Sequence, residues 1–90
     1  MFNQKLFDMN YEIIEQGSNY TVIKQGTKEV LFSYETPIVS IDRKTGETVL
    51  NKDFWNYSRT TSKHRCQFLG ETKKETEKKI KQGEYKLDTL

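Results

Sequence analysis

One histidine and one cysteine, His64 and Cys66, are the side chains best equipped for nucleophilic or metal chemistry, and they stand two positions apart. Residues two apart on a helix do not face each other, so this segment offers no Cys–His nucleophile pair. A single Cys excludes an internal disulfide and a Cys-based zinc site. There is no Gly-rich phosphate loop, no carboxylate pair in a known motif and no metal-ligand spacing. Asp42, Asp53 and Glu35 are scattered carboxylates that nothing in the sequence brings together. The expectation is a non-enzymatic chain without a cofactor.

Recognition chemistry is better represented. Ser58, Thr60, Thr61 and Ser62 lead into Lys63, His64, Arg65, Cys66, Gln67, Phe68 and Leu69. The first N–H groups of a helix lack internal partners, and hydroxyl side chains satisfy them. Thr60 or Thr61 is the expected cap of a short helix over about 61–69. Gly70 follows at the position where a left-handed residue ends a helix. Phe68 and Leu69 are expected on the core side. Capping is the simpler account of the hydroxyls. The same set, with Arg59, Lys63, His64 and Arg65, also suits a phosphate at a helix N-terminus. Tyr57 beside these cations fits base stacking on nucleic acid, although a pI near 8.6 falls short of a strongly basic domain. An exposed sheet edge or Tyr-rich face suits protein recognition equally. The candidate contact residues are Tyr57, Arg59, Thr60, Thr61, Lys63, His64 and Arg65, with Lys73 and Lys74 opening a second, Lys-rich patch.

The elements that must position these residues are mostly strands. Tyr11–Glu15, Tyr20–Lys24, Glu29–Tyr34, Ile38–Asp42 and Glu47–Leu50 are short β-prone runs, separated by turns around Gly17, Gly26 and Gly46 and by Pro37. Such spacing makes a meander of hairpins. Proline cannot donate to a ladder, so the fourth strand should begin after Pro37. Phe54, Trp55 and Tyr57 should pack on the same sheet. Phe2, Leu6 and Phe7 have the spacing of a helical turn, but the segment is short, and the alternatives are a turn of helix or a lead-in to the first strand. Beyond Gly70, Thr72 and Glu75 fit a capping box at the head of a charged helix over about 72–82. Glu75–Lys79 and Glu77–Lys81 are spaced for pairing, and Ile80 is the helix's only apolar residue. Tyr85 and Leu87 either dock or fray.

The expected fold class is therefore α+β: one domain over 1–90, a five-stranded antiparallel sheet with strands within 10–51, one short helix packed on it, and a charged C-terminal helix. Hydrophobic residues are 33% of the 90, below the usual level of about 45–50%. Self-association is one way to cover the apolar face of so polar a chain. The five Phe, five Tyr and one Trp partly compensate, since each buries a large area. Residues 1–51 carry five Lys/Arg against seven Asp/Glu, and residues 52–90 carry ten against six, so positive charge gathers in the second half. No apolar run is long enough to span a membrane, and the first ten residues are too polar for a signal peptide. A reducing cytoplasm is the expected setting.

The runs FSYETPIVSID and YSRTTSKH carry a resemblance. An aromatic-Ser-Tyr-x-Thr-Pro strand followed by Tyr-Ser-x-Thr-Thr-Ser-Lys-His resembles short proteins of bacteriophages and other mobile elements of Gram-positive bacteria. It covers about 31–69, and the tail from Glu71 departs from it. That family brings no assigned chemistry. The resemblance implies a non-enzymatic phage-derived protein in a bacterial host cell. Such a protein would bind a host protein or ribonucleoprotein, including CRISPR-type or other defence nuclease complexes. A basic inhibitor face would meet acidic protein surface or bound RNA. The alternatives are a small nucleic-acid-binding regulator and a phosphate or nucleotide binder.

Overall fold

Short β-prone runs joined by tight turns can pair only antiparallel with their sequence neighbours, and the first five strands do so. The computed structural model describes residues 11–90; the helical turn or strand lead-in expected around Phe2, Leu6 and Phe7 lies outside them. The strands are β1 (Glu12–Gln16), β2 (Tyr20–Gln25), β3 (Lys28–Ser33), β4 (Thr36–Asp42) and β5 (Thr48–Asn51). The chain then forms helices α1 (Arg59–Leu69) and α2 (Lys73–Lys81) and a last strand, β6 (Tyr85–Asp88). Spatial order follows chain order, with β1 to β5 antiparallel and β6 parallel to β5.

The fold is α+β, but the sheet has six strands and is mixed, where five antiparallel strands were expected. Tyr85 and Leu87 neither fray nor merely dock. They lie opposite Thr48 and Leu50 in the β5–β6 register. A parallel neighbour needs a long crossover, and the two helices supply it. The charged tail is thus an integral part of the sheet.

Pro37 lies inside β4, not before it, opposite Phe32 at a register shift. A bulge there spares the ladder the missing N–H. The carbonyl of Pro37 accepts from Asn51 Nδ2 at 2.8 Å, which ties β4 to the end of β5. The β1–β2 turn brings Gly17 against Tyr20: a Cβ on Gly17 would run into the tyrosine ring. A side chain at this position would require the Tyr20 ring to shift.

The helices cover one face of the sheet. Val22, Leu31, Ile38, Val39, Ile41 and Leu50 form its buried core, against which Tyr20, Trp55, Phe68, Leu69, Ile80 and Tyr85 pack. Phe68 and Leu69 therefore face the core as expected. Alternation is less clean than a sheet covered on one face implies: Thr21, Val22 and Ile23 are consecutive and all buried. Of the aromatic run only Trp55 packs on the core; Phe54 and Tyr57 are exposed and meet edge to face at 5.4 Å.

Ser58, not Thr60 or Thr61, caps α1, accepting from the Thr61 backbone N–H at 3.1 Å. The helix accordingly starts two residues before the expected position at 61. Thr61 is unavailable as a cap because its hydroxyl is buried against Ser33 of β3. Gly70 ends α1 in the left-handed conformation, φ 68°. The capping box of α2 forms as expected, with Thr72 and Glu75 exchanging bonds. Because Glu75 is committed to its cap, Lys79 pairs instead with Glu71 at 2.7 Å. Burial works to raise the Glu71 carboxyl, but its bonds from Lys79, Thr76 and Tyr85 outweigh that and hold it below the usual range. Glu71, Lys79 and Tyr85 thus fasten α2 to β6.

Candidate functional site

The expected contact residues divide into two groups. Thr61, His64 and Arg65 are buried. Tyr57, Arg59, Lys63, Lys73 and Lys74 are exposed, and Thr60 is half-buried. Helical geometry explains the division. Positions 61, 64, 65, 68 and 69 form one stripe at three- and four-residue steps, the side that a helix turns to its core. Polar side chains fill the first three of these positions.

In the buried group, Ser33 Oγ lies 3.1 Å from Thr61 Oγ1 and 3.0 Å from His64 Nδ1. The Tyr20 ring sits 5.0 Å from the imidazole, and its hydroxyl donates to Glu15 at 2.8 Å. Burial, with the Lys63 charge nearby, pushes the His64 imidazole below its ordinary pKa. Ser33 and His64 thus form a hydroxyl–imidazole pair at bonding distance. Ser33 is only 2% exposed beneath α1, however, so the pair joins helix to sheet.

Among the described residues Arg65 is the most deeply buried cation, with relative exposure of 0%. Its Nη1 donates to the Trp55 carbonyl at 2.6 Å and to Asn56 Oδ1 at 3.4 Å, and its Nη2 donates to Ser62 Oγ at 3.1 Å. Cys66 Sγ is 3.7 Å from Nη2, and the guanidinium lies 5.0 Å from the centre of the Trp55 ring. Among the described residues the buried Nε has no hydrogen-bond partner. No carboxylate among the described residues pairs with this charge. Neutral acceptors and an aromatic face hold it, so its positive field is not cancelled locally.

That field underlies an open groove of about 560 Å³. Asn56, Ser62 and Cys66 line the groove and are also among the hydrogen-bond partners of Arg65. Tyr57, Arg59, Lys63 and Lys73 complete its wall. The ion pairs among the described residues, Arg43–Glu29, Lys79–Glu71 and Lys86–Glu47, use none of these cations. The first turn of α1 carries no acidic residue. Tyr57, 71% exposed, stands at the edge with Phe54 beside it. The groove gathers four of the expected residues: Tyr57, Arg59 and Lys63 from α1 and its approach, and Lys73 from α2. The sequence showed these cations but not the role of Arg65, which acts from beneath the surface.

Among the described residues no group of three or more His, Cys, Asp or Glu could hold a metal, and no helix is long and apolar enough to cross a membrane. No curated protein and no solved structure matches the chain. A family model does match, over residues 1–85, and on that match the chain belongs to the family of unknown function DUF8033.

Proposed function

We propose that the chain is a non-enzymatic binding protein whose contact surface is the basic groove of Tyr57, Arg59, Lys63 and Lys73. Its partner is an acidic surface on a host protein or ribonucleoprotein complex. The phage-like runs at 33–37 and 57–64 support the narrower reading of an inhibitor of a defence nuclease complex. The observation that carries the proposal is the uncompensated charge: surface cations that form no ion pair among the described residues, above a buried arginine that meets no carboxylate among them. An acidic partner would supply the missing counter-charge, and the exposed Phe54–Tyr57 pair would give it an aromatic anchor.

The experiment is affinity capture from a bacterial lysate with nuclease present, comparing the native chain with the Arg59→Glu/Lys63→Glu variant. A stoichiometric protein that survives nuclease and is lost with charge reversal supports the proposal. Capture that charge reversal leaves unchanged overturns it. The exposed aromatic pair beside the groove's cations also favours a second reading, a nucleic-acid-binding regulator. Under that reading only nucleic acid is captured, and affinity falls steeply with added salt through phosphate contacts.

A further inference from the structure

A second recess lies away from the groove, between β1–β3 and the C-terminal half of α1. It is a partly enclosed cavity of about 170 Å³, with Val22, Leu31 and Phe68 as its apolar wall and His64 and Gln67 among its polar lining.

The hydroxyl chain behind His64 determines what the imidazole presents there. Each hydroxyl has one proton to give. Ser58 gives its proton to Thr61 Oγ1 at 3.2 Å. The buried Thr61 hydroxyl has Ser33 Oγ as its acceptor at 3.1 Å. Ser33 is then left to donate to His64 Nδ1 at 3.0 Å. The reverse direction would strand the Thr61 proton in a buried site, which is costly. With Nδ1 accepting, the neutral ring carries its proton on Nε2. His64 is 9% exposed, and among the described residues nothing accepts from Nε2. The result is an oriented N–H donor on a ring that borders a cavity.

The charges at the rim select the ligand. Glu29 is neutralised by Arg43 at 3.1 Å. Glu15 accepts from Tyr20 at the cavity's edge and is in none of the ion pairs among the described residues, so an acidic side chain without a paired cation faces the ligand there, which disfavours an anion. The volume is below the range of about 300–1,000 Å³ usual for larger ligands, so the site suits a single ring with a short substituent.

We propose that this cavity binds a small neutral molecule with an apolar ring and a carbonyl oxygen, the ring against Val22, Leu31 and Phe68 and the oxygen accepting from His64 Nε2. The test is titration of benzamide into the ¹⁵N-labelled full chain, followed by NMR, with benzoate as the anionic control. Saturable shifts confined to Tyr20, Val22, Leu31, His64 and Gln67 are expected, with benzoate at least tenfold weaker. The imidazole ¹⁵N spectrum should show the Nε2–H form. His64→Phe should weaken benzamide at least tenfold. Should that variant not fold, Ile14→Trp blocks the cavity from its exposed β1 side and should abolish the shifts. Arg59→Glu/Lys63→Glu should bind benzamide as the native chain does, which separates this site from the groove. Absence of saturable shifts, equal binding of benzoate, an Nδ1–H form, or shifts that persist in Ile14→Trp would overturn the proposal.

Discussion

The two sides of α1 are built from the same residue types and do opposite work. On one side Arg59 and Lys63 stand in solvent along the groove. On the other, Thr61, His64 and Arg65 are buried against the sheet and the Trp55 segment, where every bond they make is internal. Residue type alone does not separate the two groups. The step of three and four residues does, because it places 61, 64 and 65 in the same stripe as Phe68 and Leu69. A charged residue in such a stripe must find acceptors or forfeit several kcal/mol of solvation, and Arg65 finds them in the loop that precedes its own helix.

The contrast is broken most directly by truncating one arginine from each side. Arg65→Ala is expected to destabilise the fold by about 3 kcal/mol or more, since it removes a buried packing unit and orphans its acceptors. Arg59→Ala should stay within about 0.5 kcal/mol. Urea denaturation measures both, and similar midpoints for the two variants would show that burial does not separate them.

Ser33→Ala probes the hydroxyl seam from the sheet side. It leaves the Thr61 proton and His64 Nδ1 without their partner, at an expected cost of about 1–3 kcal/mol. The same denaturation series reads it, and a value near zero would mean that the seam contributes nothing to helix docking. Ser58→Ala should cost about 1 kcal/mol through the lost cap, while Thr60→Ala should change stability by less than about 0.5 kcal/mol. The opposite order in thermal melts would return the cap to Thr60.

The smallest expected effect is on pH. Burial lowers the His64 pKa in the folded state from its ordinary value of 6.5, so the unfolded chain takes up the proton more readily. Stability from this group is therefore fully present above pH 6.5 and is lost as pH falls through that value toward the lowered one. The difference between native and His64→Gln stability curves isolates the effect from the carboxylates. A flat difference between neutral pH and pH 5 would argue against a neutral buried imidazole.

Five of the strands, both helices and both helix C-terminal limits were legible in the sequence, because Gly turns, β-branched runs and the Thr72–Glu75 box act locally. The start of α1 was misplaced because four hydroxyls in five positions from Ser58 to Ser62 compete for one cap, and only the contact of Thr61 with Ser33 removes that rival. The groove was half legible. Arg59, Lys63 and Tyr57 were read as surface, but Arg65 reads the same way until the stripe is matched to a covering sheet.

What the sequence determined by itself was therefore what neighbouring residues can decide: turn positions, strand runs, the α2 cap and the concentration of cations after residue 51. Tertiary structure alone made Tyr85–Asp88 a parallel sixth strand, since four exposed or half-exposed residues gain their ladder only once two helices have returned the chain to β5. It alone also turned Arg65 from a contact residue into the charge beneath the groove. Burial and pairing between residues distant in the chain depend on which surfaces meet, and no local pattern encodes that.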